Sequence, residues 1–198
     1  MNSNDQDTTL VALDFDGVIN AVYPPSPDDY EVTALDFEHD GEVYAMTIHY
    51  KPDVVEFFNS LNRRDGVTVK WLTTWAHHTD QFKKLGFDTF EAILPTDYHQ
   101  ENTNVRHGVR WKSDSLAEHL SSNDYRRVIW IDDDLHYRYY LPEEYTDQDD
   151  RRGFWVVPAT FLAVTQKDID EIESIFNGTH WMLQDWSEGG FDPVDNDF

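Results

Sequence analysis

Residues 10–20 read "LVALDFDGVIN", and the reading of this stretch decides the fold. Four apolar residues run directly into two aspartates, Asp14 and Asp16, with one phenylalanine between them and a glycine behind. A short apolar run of this kind is a buried strand, and it aims two carboxylates off its carboxyl end. Burying a charge costs several kcal/mol unless something pairs with it. A partner is therefore expected at the end of that strand.

Working outward, five apolar runs fit buried parallel strands: residues 8–13 "TTLVAL", 67–73 "VTVKWLT", 90–94 "FEAIL", 127–131 "RVIWI" and 154–157 "FWVV". Helical segments alternate with them. In "KPDVVEFFNSLNRRDG" (51–66), Pro52 suits a first turn, Val54, Phe57, Phe58 and Leu61 recur at helical spacing, and Asp65-Gly66 supplies the stop. Further helices are expected over about 79–85, ended by Gly86, and about 113–120. The last opens at "TQKD", where Thr165 and Asp168 have capping-box spacing, and ends at Asn177-Gly178. This alternation predicts a three-layer α/β fold around a five-stranded parallel sheet. Residues 31–50, with Asp40-Gly41 between two strand-like segments, predict a β-hairpin flap. We expect one domain over 1–178 and an acidic C-terminal tail over 179–198.

Composition narrows the chemistry. The 198 residues suffice for one sizeable core, and 7 Trp, 10 Tyr and 12 Phe mark a folding chain. Zero cysteines exclude disulfides, thiolate zinc and a cysteine nucleophile. The net charge of −24 opposes non-specific binding to nucleic acid or anionic lipid. An aspartate-rich, lysine-poor surface suits a salty solvent, where the Debye length falls to about 3 Å at 1 M. There is no apolar leader and no run long enough to span a membrane, so a cytoplasmic protein is the expectation.

Ligands of open α/β sheets bind at the carboxyl ends of strands. Asp14 and Asp16 follow the first run, Thr73 and Thr74 end the second, and Asp132, Asp133 and Asp134 follow the fourth. Lys112 opens the helix before that fourth strand. Like charges crowded there repel by about 4 kcal/mol per pair at 4 Å and an effective dielectric near 20. A cation relieves that repulsion, and oxygen-only ligands with room for water suit Mg²⁺.

In this order the elements resemble the motifs of the haloacid dehalogenase (HAD) superfamily. "LVALDFDGVIN" is similar to its first motif, "WLTT" to its second, Lys112 to its third, "VIWIDDD" to its fourth, and "RGFWVVPAT" to its fifth strand. The pairing of "WLTTW" with "WIDDD" further resembles HAD domains associated with RNA-repair proteins. The resemblance implies a phosphatase in which Asp14 attacks phosphorus and becomes an aspartyl phosphate. It makes Asp16 the acid and then the base, with its backbone carbonyl on the metal. Thr73 would bind a phosphoryl oxygen, Lys112 would neutralise nucleophile and phosphate, and Asp133 with Asp132 would anchor Mg²⁺. An acid at position 16 favours phosphate esters over halides, since a halide leaves unprotonated.

Some candidates stay open. Either Thr73 or Thr74 suits phosphate, Thr73 being favoured because it directly follows the apolar run. Arg106 and Arg110, in the polar stretch before Lys112, are of the type that grips a substrate phosphate. His77 and His78 are adjacent and point apart, so they read as turn residues. "DQDD" at 147–150 lacks the glycine and glutamate of a calcium loop. There is room only for a hairpin between Asp16 and Pro52, and only for one helix between Lys112 and Asp132. In the HAD superfamily large cap domains are inserted at these two points, so the resemblance implies an open site and a phosphorylated macromolecule, such as a nucleic-acid end, or a nucleotide. The competing expectation is a catalytically silent binding or regulatory module on the same fold.

Overall fold

The computed structural model describes residues 8–24, 26–39, 42–94, 110–133, 153–158 and 163–178. Strand β1 (Thr9–Leu13) is buried along its whole length, as its unbroken apolar run requires of a strand covered on both faces. The Asp40-Gly41 turn, Arg106, Asp134, residues 147–150 and the tail at 179–198 lie outside the described residues.

The hairpin follows β1 as β2 (Glu31–His39) and β3 (Glu42–Tyr50), antiparallel and paired up to His39 opposite Glu42. Next come α1 (Pro52–Asn62), β4 (Val67–Trp71), a 3-10 helix (Ala76–Leu85), α2 (Arg110–Ser122), β5 (Arg127–Asp132), β6 (Gly153–Pro158) and α3 (Gln166–Phe176). The main sheet has the order β4-β1-β5-β6, and every neighbouring pair is parallel. This is a Rossmann-like α/β arrangement. The chain steps from β1 to one neighbour, β4, and then crosses to the other, β5, so the strand order reverses beside β1. Open sheets form their ligand crevice at such a point.

The expected fifth strand is not formed among the described residues. Residues 90–94 contribute one parallel bridge, Ala92 to Trp71, with Trp71 N–H donating to Glu91 O (2.9 Å) and Ile93 N–H to Trp71 O (2.8 Å). Among the described residues the ladder goes no further, and the Thr73 carbonyl that would continue it is taken by Ala76 N–H (3.2 Å). The helix expected over about 79–85 is present but longer. It is part of a ten-residue 3-10 helix, and the packing explains why. Ala76, Phe82 and Leu85 are buried and Thr79 is half-buried, a spacing of three that aligns on one face only at three residues per turn. Gly86 closes the helix at φ 96°.

Side-chain parity divides the core in two. Val11, Leu13, Ile129 and Ile131 face α1, α3 and the hairpin, packing with Val54, Val55, Phe58, Leu61, Ile172, Ile175 and Phe37. Leu10, Ala12, Val128 and Trp130 face α2, packing with Leu116 and Leu120. Helix α3 opens on the expected capping box, with the Thr165 and Asp168 side chains each bonded to the other's backbone N–H. Buried Asn59 ties α1 to the 3-10 helix end, donating to Gly86 O (2.9 Å) and accepting from Asp88 N–H (2.8 Å). No helix among the described residues is long and apolar enough to cross a membrane.

Candidate active site

The even-numbered residues of β1 and β5 point at α2, and their next members past the apolar stretch are Asp14 and Asp132. Both carboxylates are therefore delivered to the α2 side of the sheet, where they are 5% and 2% exposed. Helix α2 answers with Lys112, itself 4% exposed. Its ammonium bridges them, 2.7 Å from Asp14 Oδ2 and 2.8 Å from Asp132 Oδ2. Burial alone would push this lysine's pKa down. The two carboxylates outweigh that and hold it above its ordinary value, so it stays charged.

Asp132 is steadied from its own strand. Trp130, two residues back and so on the same face, donates its indole N–H to Asp132 Oδ2 (3.1 Å). Asp133, half-buried, joins from just beyond β5, and carboxylate oxygens of Asp14, Asp132 and Asp133 lie within 4.8 Å of one another. Gly17 makes room for it. A Cβ at that position, where φ is 72°, would sit 2.2 Å from Asp133 Oδ2. Three carboxylates against one ammonium leave two negative charges in excess, which one divalent cation balances. The donor set is oxygen only, as a hard cation prefers. The residues present fit such an ion.

Asp16 sits beside this cluster with its side chain held differently. Its Oδ1 accepts from Asn20 Nδ2 (2.8 Å) and its Oδ2 from Trp75 Nε1 (2.5 Å). Burial raises its pKa, the two hydrogen bonds work against that rise, and the nearby Asp14 charge adds to it. A carboxyl so placed retains its proton to higher pH than an exposed aspartate. The carboxylate cluster thus comprises three of the four expected metal residues. Asp16 was expected to contribute only its backbone carbonyl.

Thr73 is fully buried at the end of β4, and its hydroxyl accepts from Trp75 N–H (3.3 Å). Thr74 is exposed. Arg110 begins α2 in the described chain. His77 and His78 lie in the 3-10 helix, exposed and half-buried respectively, and neither joins the carboxylate cluster. Reading the sequence missed Asn20, Trp75, Trp130 and the Gly17 contact. Trp130 had a signal, since W-x-D on a strand shares a face, and Asn20 lies only four residues from Asp16 across a local turn; Trp75 reaches Asp16 only through tertiary folding.

No curated protein and no solved structure matches the chain significantly. A family does match, the HAD domain in Swiss Army Knife RNA repair proteins, over residues 10–168. That span begins at β1 and ends in the first turn of α3, so it takes in every carboxylate and the lysine described above. The chain belongs to this family of HAD domains.

Proposed function

We propose that the protein is a Mg²⁺-dependent phosphomonoesterase that works through an aspartyl phosphate on Asp14. The observation that carries this reading is the Lys112 bridge between Asp14 and Asp132, with Asp133 alongside and Asp16 held two residues from Asp14. Asp14, Asp132 and Asp133 would hold the ion, which when bound supplies positive charge to offset that of the phosphoryl oxygens.

An Asp14 carboxylate oxygen attacks phosphorus, and the bond from phosphorus to the ester oxygen breaks with its electron pair leaving on that oxygen. Asp16 gives its proton to the departing oxygen. A water then attacks the phosphorus of the aspartyl phosphate, yielding its proton to Asp16, and the bond to Asp14 breaks to release inorganic phosphate. Lys112 keeps Asp14 ionised for attack and faces the charge that builds on the transferred group. Thr73, fully buried at the end of the strand beside β1, is better placed than exposed Thr74 to donate to a phosphoryl oxygen. Arg106 and Arg110 are proposed as outer contacts to substrate phosphate.

The substrate class we propose is a phosphorylated nucleic-acid end or a nucleotide. Between Asp16 and Pro52 the described chain builds only the hairpin and a short 3-10 turn, and between Lys112 and Asp132 only the rest of α2. The lack of a large insertion at these two points among the described residues favours a bulky phosphate ester, and the matched family is named for RNA repair. The test is phosphate release from 5′- and 3′-phosphorylated oligonucleotides, mononucleotides, phosphopeptides and sugar phosphates, with and without Mg²⁺. Wild type is expected to turn over the nucleic-acid members only with Mg²⁺, and Asp14→Asn to lose at least about 10³-fold. Equal turnover by Asp14→Asn removes the nucleophile assignment, and turnover of sugar phosphates alone removes the substrate class.

A further inference from the structure

The hairpin reaches the site through two contacts that end on one carboxyl group. On β3, the His49 backbone N–H donates to Asn20 Oδ1 (3.1 Å), while the His49 carbonyl accepts from Ala21 N–H (2.8 Å). That leaves the Asn20 amide nitrogen directed at Asp16 Oδ1 (2.8 Å). On β2, the Phe37 ring packs on the Trp75 indole with centroids 4.0 Å apart and planes tilted by 45°. The indole nitrogen donates to Asp16 Oδ2 (2.5 Å). Each Asp16 oxygen thus accepts from a donor that a different strand of the hairpin holds in place.

The residue types suit that task. Asparagine accepts from a strand N–H and donates to a carboxylate in one short side chain, whereas aspartate would offer no donor and repel Asp16. Tryptophan carries its donor on a rigid plate, so whatever fixes the plate fixes the hydrogen bond. Phe37 is 6% exposed and wedged between Trp75 and His78, the latter ring 5.1 Å away. A carboxylate has about four lone-pair sites, and two donors leave others for the reacting oxygen. Proton transfer demands heavy-atom approach of about 2.6–3.2 Å, and a carboxyl free to rotate would meet that only part of the time.

We infer that the β2–β3 hairpin is the positioning element of Asp16, acting through Asn20 and Trp75, so that acid catalysis depends on the docked hairpin and not on Asp16 alone. This rests on the phosphatase reading above. Trp75, Asn20 and Phe37 are positioning residues here, and Phe37 touches neither Asp16 nor the carboxylate cluster in any contact described.

The test compares kcat and KM on an alkyl phosphate, whose leaving oxygen needs a proton, with those on an activated aryl phosphate, whose leaving oxygen does not. Asp16→Asn, Trp75→Phe, Asn20→Ala, Phe37→Leu and Phe37→Tyr are assayed with Mg²⁺. Trp75→Phe and Phe37→Leu are expected to lower alkyl kcat by roughly 10-fold or more, up to the 10²–10⁴-fold scale of a wholly lost general acid, and aryl kcat by under about 3-fold. Phe37→Tyr, which keeps the ring, restores the alkyl rate. In ¹⁵N–¹H spectra the Trp75 indole signal, identified by its loss in Trp75→Phe, shifts in both Asp16→Asn and Phe37→Leu. Should Phe37→Leu fail to fold, Trp75→Phe and Asn20→Ala carry the same comparison. Equal losses on both esters, a change confined to KM, or an indole signal indifferent to Asp16→Asn overturns the inference alone. A wild type silent on every ester overturns the phosphatase reading and the inference with it.

Discussion

At the scale of single residues, Gly17 decides whether the carboxylates can meet. Its φ of 72° is left-handed, and a side chain there would collide with Asp133 at 2.2 Å. Gly17→Ala is therefore expected to cost about 1–3 kcal/mol in urea denaturation, since both backbone strain and a displaced carboxylate follow. It should also lose the stabilisation that Mg²⁺ gives, because Asp133 has to move. Retention of both would mean that Asp133 does not need this approach. Much of the cluster was legible in the sequence for a simple reason. Asp14 and Asp132 continue the alternation of Leu10, Ala12, Val128 and Trp130, so parity alone sends them to one face. Trp75 was not legible, because Asp16 meets it across 59 positions of chain and nothing local marks an indole as a carboxylate donor; Asn20, four residues from Asp16, was within reach of a local reading but depends on the turn between them.

At the scale of elements, α2 performs two tasks along one stripe. Lys112, Leu116 and Leu120 follow one another at intervals of four, so the helix that packs Leu116 and Leu120 against Leu10 and Trp130 also carries the ammonium to the strand ends. The far end of α2 places His119 beside Tyr125, rings 5.8 Å apart and nearly parallel. Burial pushes the His119 imidazole below its ordinary value, the Lys70 ammonium adds to this, and Glu91 opposes it. The neutral form is thus favoured in the fold. Above pH 6.5 folded and unfolded chains are alike at this group; below it the unfolded chain takes up a proton the folded one refuses, and stability falls as pH falls towards the depressed folded value. Urea denaturation from pH 7.5 to 5 should show His119→Gln losing less stability than wild type across that window. Parallel curves would show that His119 does not contribute. The elements themselves were legible where one period dominated: β1, α1, the hairpin and the α3 cap. The strand at 90–94 was misread because the Thr73 carbonyl turns to Ala76 and leaves one bridge, and the helix at 79–85 proved longer and of the 3-10 kind through burial at every third residue.

At the scale of the whole molecule, a chain of net charge −24 concentrates three carboxylates at the centre of its sheet. Two effects of added cations must then be separated. Any salt screens the general self-repulsion of such a surface and so raises the melting temperature as ionic strength rises. A specific ion among Asp14, Asp132 and Asp133 adds the free energy of its own binding, about 2.7 kcal/mol at 100 times its Kd. The strand order makes the second effect global, for Asp14 ends β1 and Asp132 ends β5, the two central strands. An ion held by both would resist their separation, adding to the bridge that Lys112 of α2 already makes between them. At fixed ionic strength, Mg²⁺ is expected to raise Tm above the value in monovalent salt. Asp133→Asn should abolish that increment yet leave the monovalent response intact, because it removes one candidate ligand but changes the total charge by a single unit. If the variant kept the whole Mg²⁺ increment, Asp133 would not be an anchor, and Asp14 with Asp132 would have to hold the ion without it.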